Sequence, residues 1–324
     1  MSKKLNIIIP MYNAENFIER TINSIIQSNL PTDFYDILVV NDGSIDKSQE
    51  LVETMMKSIP NLRLINQENG GSSVARNTGI DSSNSEYIWF FDSDDKSEKE
   101  LSIISQLITE YPDVDVFDFE YNWVNEKNEI FGHGSSHPSV THNQMIRGRD
   151  AILQGYTAGS VCGLILKREF INKYHLRFKV GITQQDVELS YHLFAYAPRV
   201  MFRYEVIYNY MIRQNSISKA LDKKRKIKYE SDKVEIIKSF RELSEEFKDK
   251  DEKLSLTIRQ YADAALFGCV YNLFRNRKKW KSLGINQAVV KKLKESQLYP
   301  MKGPFNSWKK RMMSVLLNIE PLIS

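Results

Sequence analysis

Tyr87–Asp95 reads YIWFFDSDD: five large apolar residues, three of them aromatic rings besides Tyr87, running straight into three carboxylates within four positions. A run of this kind predicts a short strand buried on both faces. The acids at its end then stand at the mouth of a core strand. Two carboxylates at i and i+2 on a tight turn can point into one cleft, and hard divalent ions such as Mg²⁺ or Mn²⁺ prefer such oxygens together with phosphate. The plain alternative is a solubilising turn with a helix cap, and Asp95, just before KSEKEL, reads as such a cap.

Working outward, similar runs precede and follow this one: Leu5–Pro10 (LNIIIP), Asp36–Asn41 (DILVVN), Leu62–Asn66 (LRLIN) and Val114–Tyr121 (VDVFDFEY). Helical spacing lies between them, with Phe17, Ile18, Thr21, Ile22, Ile25 and Ile26 on one stripe and Leu101, Ile104, Leu107 and Ile108 on another. Strands alternating with helices predict an α/β fold: a Rossmann-like, mainly parallel central sheet flanked by helices. Ligands of such sheets bind beyond the carboxyl ends of the strands. Those ends carry Pro10-Met11-Tyr12-Asn13, Asn41-Asp42-Gly43-Ser44, Asn69-Gly70-Gly71 and Asp92-Ser93-Asp94-Asp95. Beyond them, Asn122–Asn143 is polar and glycine-bearing without clear periodicity, which reads as a lid or an acceptor loop. SVCGLIL (Ser160–Leu166) reads as a strand, a helix opens at Asp186, and Val200–Met211 is an aromatic stretch.

The 324 residues, 42% of them hydrophobic, suit a large α/β domain with an appendage. Residues 1–218 carry 20 Lys and Arg against 28 Asp and Glu, whereas residues 219–324 carry 25 against 13. The sign change divides the chain into two parts with different partners, residues 1–218 and a basic helical region at 219–324. Cys162 and Cys269 lie far apart among apolar neighbours and read as reduced core thiols. His133, His137 and His142 read as solvated loop residues, since no companion ligands accompany them. No eighteen-residue apolar window and no cleavage site follow MSKK, so the chain is expected to stay in the cytosol.

NDGS (Asn41–Ser44) alone is an Asp-Gly turn; beside the acid turn, Asp42 becomes a candidate acceptor for a nucleobase N–H. NGGSSVARNTGI (Asn69–Ile80) offers glycines for close approach to a ligand and a cation, Arg76, in the first helical turn. It is neither a Walker loop nor a GxGxxG fingerprint, which removes the main support for ATP-hydrolase and nicotinamide chemistry. Asp186 in QDVELS stands at a helix start, where capping and proton abstraction both use an aspartate.

Taken in order, IIIPMYN, VVNDGSID, NGGSSVARNTG, FFDSDD and QDVELS resemble the family 2 glycosyltransferases, an inverting family with the A-type nucleotide-sugar fold. The resemblance spans residues 5–218 and rests on the combined set. It implies that Pro10, Tyr12, Asp42, Asn69 and Arg76 cradle the nucleoside of a UDP-sugar, with Asp92 and Ser93 towards the ribose. It further implies that Asp94 ligates Mn²⁺ or Mg²⁺ on the diphosphate and that Asp186 takes the proton from an acceptor hydroxyl. Members often carry Glu-Asp where this chain has Gln185-Asp186, so a role for the preceding acid passes to a neutral amide, with Gln185 a candidate acceptor contact. Arg213 is a candidate diphosphate contact, a solvated arginine being the alternative.

The resulting expectation is a metal-dependent inverting glycosyltransferase acting on a glycan or lipid-linked saccharide in surface-polysaccharide synthesis. A catalytically idle UDP-binding scaffold subunit is the alternative that Gln185 keeps open. A nucleotidyltransferase would need a glycine-rich loop with Arg or Lys, and Met11–Phe17 (MYNAENF) has none of these. Arg275–Lys281 and Trp308–Met313 mix cations with tryptophan and aliphatic residues. They suggest peripheral attachment to an anionic membrane surface, with a basic solvated face or a homodimer contact as alternatives, and no nucleic acid.

Overall fold

The computed structural model describes residues 3–134, 137–212, 222–302 and 308–323. Among the described residues there are ten strands: β1 Leu5–Met11, β2 Tyr35–Asp42, β3 Leu62–Gln67, β4 Tyr87–Phe90, β5 Lys96–Ser97, β6 Val116–Val124, β7 Ile130–Gly134, β8 Met145–Ile146, β9 Leu164–Lys167 and β10 Val200–Met211. The helices are α1 Ile18–Ile26, α2 Ser48–Met56, α3 Ser72–Ser82, α4 Ser102–Glu110, α5 Gly148–Leu153, α6 Arg168–Lys173 and α7 Gln185–Tyr196. They continue with α8 Lys223–Phe247, α9 Glu252–Arg275, α10 Arg277–Lys281, α11 Ile285–Glu295 and α12 Trp308–Leu317.

The strands form one sheet in the order β3-β2-β1-β4-β9-β6-β10-β5, with β7 on β6 and β8 on β10. The first four are parallel, with Leu5 opposite Tyr35 and Tyr87, and Ile37 opposite Leu62. β4 is buried on both faces, as its composition predicts, and Phe91 continues it by donating its N–H to Ile8 O at 2.9 Å. Helices flank the sheet, so the α/β architecture stands.

Parallelism stops at β9, which runs antiparallel to both β4 and β6. β6 and β10 are again parallel to β1 and each other, so their carboxyl ends reach the same edge as those of β1–β4. Part of the apparent loop at Asn122–Asn143 is a hairpin: Asn122 opposes His133 and Trp123 opposes Gly132. A Cβ on Gly132 would meet the Trp123 ring at 2.8 Å, so glycine lets the indole lie across β7.

Two compact units are distinguished, residues 1–181 with 189–213, and residues 182–188 with 214–324. The division therefore differs from a single boundary at 218/219, because Ile182–Glu188 groups with the basic helices. Thr183 N–H and Oγ1 donate to Asp232 Oδ2 at 2.8 and 3.1 Å, and Ser239 Oγ donates to Glu188 Oε1 at 2.6 Å. The first unit is built on a core of β1, β2, β4, β6, α1 and α4 side chains; the second has its own core from α8, α9, α11 and the C-terminal residues. Trp280 belongs to that second core, 8% exposed, so the basic run Arg275–Lys281 does not present its tryptophan to a membrane.

α3 packs on β1 through Gly79, where a Cβ would stand 2.3 Å from Ile8 Cγ2. Ile8 is branched at Cβ and fully buried, so it cannot swing aside. Gly79→Ala gains about 1 kcal/mol of helix propensity, but overpacking a tight contact costs about 1–3 kcal/mol. A melting temperature a few degrees lower is the expected outcome, measured by circular dichroism.

His137 is not solvated, contrary to the sequence expectation. His137 is 8% exposed, its ring 4.7 Å from Tyr156 and 5.7 Å from Phe202; His142 stacks on Tyr204 at 4.0 Å. Burial, seconded by the charge of His142, lowers the His137 pKa to about 4, outweighing the Asp118 carboxylate 3.7 Å away. The ring is therefore neutral at pH 7. Unfolding raises its pKa to about 6.5, so the stability from this site is complete above pH 6.5 and is lost as pH falls towards 4, by about 3 kcal/mol. His137→Gln is expected to lose less melting temperature than the wild type between pH 7 and 4.5.

Candidate active site

Four loops meet at the carboxyl edge because the parallel strands deliver them there. The β1–α1 and β2–α2 loops are laced together: Asn13 N–H donates to Ser44 Oγ at 3.0 Å, Ile45 N–H to Asn13 Oδ1 at 3.0 Å, and Ala14 N–H to Ser48 Oγ at 2.7 Å. Pro10 lies in β1 within the buried sheet, opposite Val40, while Tyr12 stands half exposed at the rim.

Asp42 is buried and holds the next loop. Its Oδ1 accepts from Gln67 Nε2 and Gly70 N, and its Oδ2 from Gly71 N, each at 2.8 Å. Asn69 Nδ2 returns a bond to Asp42 O at 2.9 Å. Oδ2, with one protein donor, retains acceptor capacity for an N–H of a ligand. Gly43, at φ 71°, allows this closeness: a Cβ there would meet Asn69 N at 2.9 Å.

In the segment ARNTG, Arg76, Asn77 and Gly79 each make a separate contact. Ala75 is buried, and Arg76 donates to Asp92 Oδ1 at 2.6 Å with its guanidinium 5.3 Å from the Phe178 ring centroid. Asn77 grips the backbone of Phe178 in both directions, at 2.9 Å each, and Gly79 seats the helix on β1. Arg76 and Asp92, separate candidates in the sequence, are thus one ion pair.

The acid turn is held from two sides. From α1, Arg20 Nη2 donates to Asp94 O at 2.8 Å, and Thr21 Oγ1 lies 3.0 Å from Ser93 O and 2.8 Å from Asp95 O. From β10, Tyr208 Oη donates to Asp95 Oδ2 and accepts from Asp92 N, while Met211 N–H donates to Asp95 Oδ1 at 2.7 Å. Asp95 is not a helix cap: it is 1% exposed, β5 follows it directly, and α4 starts only at Ser102. Burial pushes its carboxyl well above the usual range, and the charges of Asp94 and Asp92 push it the same way. Tyr208, Thr21 and Arg20 were not readable as site residues. Their partners lie 72 to 116 residues away, and no local pattern marks them.

The repulsion among these acids is what a cation would relieve. Asp92 and Asp94 offer hard carboxylate oxygens suited to Mn²⁺ or Mg²⁺. No group of three His, Cys, Asp or Glu side chains able to hold a metal occurs among the described residues. Gln185 and Asp186 open α7 in the second unit, Asp186 Oδ1 accepting from Val187 N at 3.0 Å. Arg213 lies outside the described residues.

The fold is an α/β nucleotide-binding architecture with its polar site on the carboxyl edge of the sheet. Residues 6–174 match the model of Glycosyl transferase family 2; the chain belongs to this family and is a glycosyltransferase. It is 24% identical over 254 residues to the uncharacterized glycosyltransferase YibD of Escherichia coli (strain K12), covering 77% of this chain and 73% of that one. Over 94 residues it is 33% identical to the poly(ribitol-phosphate) beta-N-acetylglucosaminyltransferase TarP of Staphylococcus aureus (strain N315), a match that covers 29% of each. The crystal structure of S. aureus TarS 1–349 in complex with UDP-GlcNAc superposes with a TM-score of 0.62 at 19% identity, over 91% of this chain and 81% of that one. The shared fold is the A-type nucleotide-sugar fold.

Removing the Asp95 carboxylate strands two buried donors, each costing about 1–3 kcal/mol. Asp95→Ala is therefore expected to lower stability by about 2–5 kcal/mol, whereas Asp95→Asn, which keeps an acceptor for Met211 N–H, loses less. Urea unfolding of the two variants against wild type measures the difference.

Proposed function

We propose that this chain is an inverting glycosyltransferase that moves a sugar from a UDP-sugar to a hydroxyl of a glycan or lipid-linked saccharide in surface-polysaccharide synthesis. The observation that carries the proposal is the meeting of Asp42, Arg76, Asp92 and Asp94 on one sheet edge in a family 2 chain. UDP as the nucleotide and a surface polymer as the acceptor are supported by the UDP-GlcNAc complex of TarS and by the poly(ribitol-phosphate) substrate in the name of TarP.

In this reading Asp42, Asn69, Pro10 and Tyr12 receive the base and ribose, and Asp92 and Ser93 line the donor side of the turn. Arg76 orients Asp92 through its ion pair. Asp94, with Asp92 beside it, would hold Mn²⁺ or Mg²⁺, which when bound supplies positive charge to the diphosphate leaving group. Asp186 accepts the proton of the attacking hydroxyl as the alcohol displaces the nucleotide in line, inverting the anomeric carbon. Gln185, an amide, orients the acceptor without adding a second negative charge. Both cysteines are free and buried, in keeping with a cytoplasmic chain that uses cytoplasmic nucleotide sugars.

A general base contributes about 10²–10⁴-fold to rate. Asp186→Asn is expected to reduce transfer by that order while UDP still binds, by calorimetry. Asp94→Ala is expected to abolish the response of donor turnover to added Mn²⁺. Unchanged transfer in Asp186→Asn contradicts the base assignment. Failure of the wild type to turn over any member of a UDP-sugar panel, despite binding UDP, supports the idle-subunit reading that Gln185 suggests.

A further inference from the structure

α12 exposes an apolar stripe. Met312, Val315, Leu316 and Ile319 are 63, 68, 51 and 48% exposed, spaced i, i+3, i+4 and i+7, so they share one helical face continued into the following turn. The other side is firmly seated in the second unit. Leu317 is buried in its core, Tyr299 Oη donates to Leu317 O at 3.0 Å, and Asn318 brackets Met301 with two backbone bonds of 2.8 and 3.1 Å. The helix therefore does not turn to hide the stripe without breaking these contacts. Three consecutive cations, Lys309, Lys310 and Arg311, are exposed at its amino-terminal end.

We infer that this face of α12 is a membrane-contact surface for an anionic phospholipid bilayer, with Met312, Val315, Leu316 and Ile319 entering the interface and Lys309 and Arg311, which flank the stripe, meeting the headgroups, while Lys310 Nζ lies over the Phe267 ring at 5.8 Å. An aliphatic stripe flanked by cations is the chemistry of an interfacial helix, where apolar insertion and headgroup charge act together. A two-fold contact between copies is the less suited occupant. Two copies carry the same excess of cations in this region, whereas an anionic surface complements it. The region from Lys219 onwards, with 25 Lys and Arg against 13 Asp and Glu, extends the same sign of charge. No helix among the described residues is long and apolar enough to cross a membrane, so the contact is peripheral. The inference does not depend on which sugar or acceptor the enzyme uses.

Co-sedimentation of the full chain with vesicles of equal parts phosphatidylglycerol and phosphatidylcholine, against phosphatidylcholine alone, tests it. Binding to the anionic vesicles is expected to be at least about tenfold tighter and to weaken as salt shortens the screening length. Met312→Ser with Leu316→Asp is expected to reduce binding by about tenfold or more, with an unchanged melting temperature because both side chains are exposed. Replacing Lys309, Lys310 and Arg311 by glutamine is expected to remove most of the salt dependence. The inference is overturned if the wild type ignores anionic vesicles at low salt, or if the apolar variant binds as well as wild type. It is also overturned if light scattering shows a wild-type dimer that the apolar variant dissolves while vesicle binding stays the same.

Discussion

The edge where the loops gather is set by one buried acid, Asp95, and its two donors from β10. A carboxyl taken from water into a protein interior is costly unless hydrogen bonds replace the solvent. Here Tyr208 Oη and Met211 N–H supply them, and Thr21 holds the neighbouring carbonyls. The same phenol accepts from Asp92 N–H, so one ring stabilises the two ends of the turn. Asp92 and Asp94 are then presented on a rigid support, although their charges and that of Asp95 oppose one another. This order of support is what a site needs if its remaining ligands arrive with the substrate.

A second layer of support surrounds the Asp42 side of the edge. Asp42 gathers Gln67, Gly70 and Gly71, and α3 carries Arg76 to Asp92 while Asn77 fixes Phe178, the ring beneath the guanidinium. Phe178 in turn meets Phe90 of β4 edge to face at 4.9 Å. The cation, the acid and the strand that ends in the acid turn are therefore one packed group.

Much of the architecture was legible in the sequence because its signals are local. Continuous apolar runs mark strands buried on both faces, and the stripe on α1 marks a helix, so five strands and the carboxyl-edge site follow from periodicity. The short strands β5, β7 and β8 were not legible, since two to five residues carry no period, and nothing in LILK indicates that β9 runs antiparallel. Asp95 reads as a cap because the turn chemistry around it is visible, whereas its true partners are on a strand more than a hundred residues later. His137 reads as solvated from its glycine- and serine-bearing neighbours, yet Tyr156 and Phe202 enclose it. The change in charge at 218/219 carries no sign that Ile182–Glu188 groups with the helical unit.

β10 pairs with β6 through two irregularities, one between Phe202 and Val206 and one between Val206 and Tyr208. Phe202 stands opposite Asp118 and Tyr208 opposite Tyr121, an odd separation on β6 that places the two rings on opposite faces, although six residues part them on β10. Phe202 accordingly packs with Phe194 and Tyr156, and Tyr208 with Phe91. The extra residues act as a half-turn of the ribbon, as β-bulges do. Were β10 to run from Phe202 to Tyr208 with plain alternation, the even separation would put both rings on one face, aim the phenol away from the acid turn and leave that turn without its anchor, with every side chain of the site still in the sequence.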